Sequence, residues 1–183
     1  MKEKFKWFSI LLLIYMIWPS PGKIEDFGPL PDSAKSTLEG DTIQIPNVAG
    51  YFSDNSREFV VPFYQNKYWA LTKLPFPPYR LNYAPEFSWT AIKKHTDSTY
   101  LEELVYPLRG SLYVNGLEPL TISGEPKWWG AGRFQDEGRN SETKVTMRYY
   151  PSSVFARIFV WVGIIISIYF LYKLYRRILN IHA

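Results

Sequence analysis

A run of apolar residues near the C-terminus decides what the rest of this chain can be. From Val154 to Tyr175 it reads VFARIFVWVGIIISIYFLYKLY, carries no charge between Ile158 and Tyr172, and turns basic at Lys173, Arg176 and Arg177. A helix of that length rises about 33 Å, enough for the roughly 30 Å hydrocarbon core of a bilayer. The expectation is a transmembrane helix over 153–175 and a basic cytoplasmic tail over 176–183.

The other end of the chain repeats the pattern in short form. Lys2, Lys4 and Lys6 precede an apolar run from Trp7 to Trp18, closed by Pro19 and Pro21. This is the layout of a secretory signal, although small residues at the cleavage spacing occur only as Ser20 and Gly22. An uncleaved signal anchor over 1–18 is favoured over a cleaved signal. Its apolar part rises only about 18 Å, but Lys6 can snorkel, and Trp7 and Trp18 suit the two membrane interfaces. Positive charge is retained on the cytoplasmic side, so both termini are expected there and the middle of the chain outside. Cleavage would leave a single span. Arg157 then belongs at the outer interface, with Trp161, Tyr169, Tyr172 and Tyr175 in the aromatic belts.

Charge divides along the same lines. The chain has 183 residues and a formal charge of +4, yet its basic excess sits at the membrane flanks. Between Ser20 and Ser152 the acidic side chains outnumber the basic ones by two. A slightly acidic domain without a basic stripe argues against a nucleic-acid partner. The expected partners are the membrane and other membrane or envelope proteins. The chain has no Cys, which excludes disulfides and thiolate chemistry.

Aromatic content of 18% and 14 Pro point to an extracytoplasmic domain of mostly antiparallel strands and turns with one or two short helices, an α+β fold spanning 41–152. Residues 19–40, with Pro19, Pro21, Pro29 and Pro31, read as an extended tether. Strand patterns follow at Thr42–Ile45, at Gly50–Phe52 as an edge piece, at Phe59–Tyr64 and Tyr68–Thr72, and at Thr143–Tyr150, where Val145, Met147 and Tyr149 alternate with polar neighbours. Pro85 opens one helix running to about His95. Thr99 and Glu102, at capping-box spacing, open another carrying Leu101, Leu104, Val105 and Leu108. Asn115-Gly116 is the strongest hairpin signal. Residues 124–142 read as a long loop with an aromatic tip.

Catalytic chemistry finds little support. His95, with Asp97 two residues on, has no nucleophile elbow to serve. One His in the domain, without Cys, gives no metal set, and no calcium-loop spacing occurs, so neither a metal nor a cofactor is expected. Glu102 and Glu103 diverge by about 100° on a helix and make a poor acid/base pair. Gly130-Ala131-Gly132-Arg133 lacks the later Gly and the Lys of phosphate loops.

The remaining signal is Trp128-Trp129, near Arg133. Adjacent indoles in a strand or turn do not easily both enter a core, so one is expected at the surface, where it would meet a partner pocket, a sugar ring or the bilayer interface. The alternative is that both cover the core. The function expected is a non-enzymatic accessory or scaffolding subunit of a membrane or envelope assembly, with Trp128, Trp129 and Arg133 as the binding residues. A glycan- or lipid-surface-binding module is the alternative, and a hydrolase built from dispersed carboxylates is third.

Overall fold

The structure, a computed structural model, describes residues 2–38, 45–81, 102–136 and 138–181. The chain divides into two compact units, Ser20–Pro151 and a second made from both chain ends, Met1–Pro19 with Ser152–Ala183. Among the described residues there are three α-helices, α1 (Lys2–Ile17), α2 (Arg57–Thr72) and α3 (Val154–Ile181). The fold is mixed α/β with a mostly antiparallel sheet.

The unit of the two chain ends is a helical hairpin. Arg157 Nη1, at the start of α3, donates to the carbonyl of Trp18, just beyond the end of α1 (3.1 Å). Further along, the Trp161 indole N–H donates to the carbonyl of Ser9 (3.0 Å). Moving forward on α3 therefore means moving backward on α1, so the pair is antiparallel. Among the described residues α3 is the one helix long and apolar enough to cross a membrane, over Val154–Leu179.

The other unit is built on a six-stranded sheet. Its strands are β1 (Ala34–Lys35), β2 (Val48–Ser53), β3 (Tyr79–Leu81), β4 (Glu103–Tyr106), β5 (Gly110–Leu117) and β8 (Thr143–Tyr150), in the order β1-β2-β8-β5-β4-β3. A separate ribbon pairs β6 (Phe134–Asp136) with β7 (Arg139–Ser141). Every described pairing is antiparallel. Strand β8 has the two-residue period expected of it, with Val145, Met147 and Tyr149 buried. The register extends this face to Leu112 and Val114 on β5 and to Ala49 and Tyr51 on β2. Leu104 and Tyr106 of β4 complete it.

Helix α2 covers that face. Arg57, Val60, Val61, Tyr64, Tyr68 and Thr72 are its buried residues, a stripe at helical spacing. Tyr68 sits edge-on to Tyr106 (5.0 Å) and Tyr149 (6.0 Å) and donates its hydroxyl to the Gly110 carbonyl (3.0 Å). Burial pushes the Tyr68 phenol far above its ordinary value, with Tyr149 beside it adding to the shift, so it acts as a neutral donor. The start of α2 lies so close to β5 at Gly116 that an added Cβ would stand 3.0 Å from Arg57 Cα. Any larger residue there requires Arg57 to give way by a few tenths of an ångström.

Several expectations are corrected. Phe59–Tyr64 and Tyr68–Thr72 are not two strands but the single helix α2, with Pro62 on its solvent side. The helix expected after Thr99 is replaced, over its described part, by β4 and a turn at Pro107–Arg109, where Leu108 has a positive φ of 62°. Asn115 and Gly116 lie inside β5 rather than at a turn. The Gly50–Phe52 piece belongs to β2, an interior strand. Residues 19–38 are not a free tether: Ile24, Phe27 and Leu30 are buried, and Phe27, in a short 3₁₀ turn, packs edge-on against Tyr68 (5.4 Å) and Tyr149 (5.1 Å). Thr42–Gln44 and the helix expected from Pro85 to His95 lie outside the described residues.

Both ends of this unit lie together. Tyr149 Oη donates to the Pro21 carbonyl (3.0 Å), so the chain enters at Ser20 beside the point where β8 delivers it to Pro151. The opposite end of β8, at Thr143, is where the irregular loops gather.

Candidate functional site

Those loops start where β5 ends. Glu118 follows Leu117 directly, and one of its carboxylate oxygens accepts the backbone N–H of Arg57 (2.6 Å), the first residue of α2. Its other oxygen meets Lys127 Nζ (3.0 Å). The α2 N-cap residue, Ser56, makes no side-chain cap. A carboxylate 61 residues away in sequence supplies it instead, and it also answers the positive end of the helix dipole.

Beneath this cap lies a buried ion cluster. Glu102, fully enclosed, accepts from Arg57 Nη2 (2.6 Å) and from Arg80 Nε (2.7 Å) and Nη2 (2.8 Å). Burial alone would raise the Glu102 carboxyl, but the hydrogen bonds and charges of Arg80 and Arg57 outweigh it and hold the group below its ordinary value. The same hydrogen bond raises Arg80. The cluster ties the start of α2 to edge strand β3 and to β4. It is an internal brace, since its carboxylate has no access to solvent.

Beyond Glu118 the chain makes two tight turns. In the first, the N–H of Gly124 donates to the Thr121 carbonyl (2.9 Å), and Gly124 takes φ +84°. This leaves Ile122 fully exposed at the tip. In the second, the Ala131 N–H donates to the Trp128 carbonyl (3.1 Å), and Gly130 takes φ +79°. Glycine accepts that conformation without steric cost.

The second turn separates the two indoles. Trp128 is half-buried and, with Phe134, covers Leu117 on the sheet face opposite α2. Trp129, at the tip, is 98% exposed. The expectation that one indole lies at the surface thus corresponds to Trp129, and Trp128 takes the packing role. Between the first turn and the start of α2 runs an open groove of about 760 Å³. Asp54, Ser56, Glu118 and Glu142 form its polar wall, with Ile122 and Lys127 on the loop side. Asp54 Oδ1 accepts the Glu142 N–H (3.1 Å), which pins the polar wall to β2. Arg133 is exposed and pairs with Glu142 (2.8 Å), so it borders the groove through that carboxylate.

The membrane-flank residues are placed in the hairpin. Trp7, Tyr172, Lys173, Arg176 and Arg177 are exposed on its surface. Trp18, Arg157 and Trp161 make the helix-to-helix hydrogen bonds described above, so Arg157 and Trp161 act as joints of the hairpin. Arg157 is buried against the end of α1. His95 and Asp97 lie outside the described residues. Reading the sequence alone misses Arg57, Arg80, Glu118 and Ile122. No local pattern links Glu118 or Glu102 to α2, because their partners lie 61 and 45 residues away.

No protein-family model, curated protein or solved structure matches this chain.

Proposed function

We propose that this protein is a non-enzymatic membrane subunit whose helical hairpin spans the bilayer and whose α/β unit, outside the cytoplasm, docks a partner protein of the same membrane or envelope assembly. The observation that carries the docking reading is Trp129, 98% exposed at the tip of its turn, two residues after Lys127, which lines a groove of about 760 Å³. An indole of this kind removes a large apolar area from water when it enters a partner pocket, and Trp is enriched among the residues that dominate binding energy. Ile122, fully exposed and lining the groove, supplies a second apolar tip. Both stand at the Thr143 end of β8, about 24 Å along the strand from its junction with Pro151 at 3.4 Å per residue.

The antiparallel hairpin supports this orientation. Lys2, Lys4 and Lys6 end up on the same side as Lys173, Arg176 and Arg177, and the positive-inside rule assigns that side to the cytoplasm. A polar joint such as Trp161 to Ser9 is also favoured where no water competes for the carbonyl.

Cross-linking in native membranes, with purification through a C-terminal tag, tests the docking role. A partner recovered in near-stoichiometric amount with the wild type and lost with Trp129→Ala is the expected result. Recovery unchanged by Trp129→Ala removes this surface as the contact. A second reading rests on the same exposed indole, which presents a flat face suited to stacking on a sugar ring. Binding of the full chain to envelope glycans, abolished by Trp129→Ala while the cross-linked partner set is unaffected, would favour it.

A further inference from the structure

We infer that the basic end of the α1–α3 hairpin is a binding site for the headgroup of an anionic phospholipid, assembled from both ends of the chain; the inference rests on the hairpin spanning a bilayer. The contacts of Trp18 with Arg157 and of Ser9 with Trp161 fix the helices in antiparallel register. Counting from either contact at 1.5 Å per residue, Lys4 lies roughly 3 to 11 Å short of Lys173 along the hairpin. That is about one Debye length at physiological salt, so the two groups of charge act on the same space.

The lengths of the helices give this end a step. Helix α1 has 16 residues and α3 has 28, so α3 runs on beyond the lysines of α1. Lys4 and Lys6 occupy the lower level, Lys173 the rise, and Arg176 and Arg177 the overhang. All five side chains are exposed. None of them makes an ion pair among the described residues. Glu3 is the single acidic residue near them on either helix.

Lys4 and Lys6 diverge by about 200° around α1, so a headgroup phosphate drawn into the step meets one ammonium donor from α1, in the field of the other, and guanidinium forks from α3. Its acyl chains lie along the apolar surfaces of both helices, where Phe8, Leu11, Phe159 and Phe170 are exposed. Trp7 and Tyr172 flank the step at the depth where amphipathic rings favour the interface. A zwitterionic headgroup carries its own cation into the same basic field and gains less.

The test uses the full-length protein reconstituted into phosphatidylcholine vesicles containing traces of spin-labelled phosphatidylglycerol or spin-labelled phosphatidylcholine. The fraction of each label immobilised by the protein gives their relative association. The expected result is a preference for phosphatidylglycerol that falls at high salt. Paired substitutions at either chain end, Lys4→Gln with Lys6→Gln or Arg176→Gln with Arg177→Gln, should each weaken it by about fivefold or more. Lys4→Arg with Lys6→Arg, which keeps the charge, should retain it. Equal immobilisation of the two labels, or a preference untouched by the α1 pair, overturns the inference. Loss of the preference in Lys4→Arg with Lys6→Arg also overturns it, by showing that charge is not what is read. Labelling of Gly132→Cys from outside intact cells examines the membrane reading separately, so the two ideas can fail independently.

Discussion

Glu102 shows how much one side chain holds in place. Itself buried, it faces the buried Arg57 and the part-exposed Arg80, and substitution by Gln leaves Arg57 buried without a countercharge. Breaking a buried pair in this way costs about 3 kcal/mol or more, so Glu102→Gln should lower the denaturant midpoint of the full-length protein at pH 7 accordingly. The pH dependence has a definite sign. The folded pKa of Glu102 lies below its unfolded value of about 4.3, so its contribution is complete above that pH and fades as pH falls through the folded pKa. The wild type and Glu102→Gln should therefore converge in acid. A constant gap down to the acid transition would contradict the brace. Gly116 makes a steric counterpart: Gly116→Ala sets a methyl 3.0 Å from Arg57 Cα and should cost about 1–3 kcal/mol, measured by the same unfolding curves. Neither role is legible in sequence. Asn115-Gly116 carries the local chemistry of a hairpin turn, and the long-range approach of α2 overrides it.

At the level of elements, α2 and β4 exchanged the identities their sequences suggest. Phe59, Val60, Val61, Phe63 and Tyr64 are strand formers, but the spacing of Val60, Val61, Tyr64 and Tyr68 matches a helical stripe, and burial of that stripe decides the outcome. Leu104 and Tyr106 are two apart and both buried, the period of a strand, even though Leu104, Val105 and Leu108 also fit a helix. Strand β8 was legible because Val145, Met147 and Tyr149 satisfy only one period. The Pro-rich entry segment misleads by composition, since three apolar residues, Ile24, Phe27 and Leu30, suffice to dock it. Phe27→Ala should destabilise the protein by about 3–5 kcal/mol, whereas a substitution in a solvated tether would be silent in the same unfolding measurement. The two indoles divide similarly. Trp128→Ala should lower stability by about 1–2 kcal/mol through its contact with Leu117, and Trp129→Ala should change it by less than about 0.5 kcal/mol. An equal effect of both on the unfolding midpoint would contradict the division of roles. The doublet announced itself in the sequence, but which ring stays outside depends on the Gly130 turn.

For the molecule as a whole, the division between a helical hairpin and an α/β unit follows the charge pattern, with the basic excess confined to the hairpin. The long apolar run was legible as a helix, and the basic flanks suggested that the two end segments run in opposite directions; the contacts that pair it with α1 were not legible, because they depend on Arg157 and Trp161 finding carbonyls more than a hundred residues away. The proposed function stands on that pairing, which brings the basic residues of both helices to one end of the hairpin. Single-cysteine labelling in intact cells tests it most directly, since the native chain has no Cys. Gly132→Cys, at an exposed site with open space around it, should react with an impermeant reagent from outside, and Lys4→Cys should react only after permeabilisation, on a chain of full length. Labelling of Lys4→Cys from outside, or of Gly132→Cys only after permeabilisation, would contradict the proposed topology and the docking role with it.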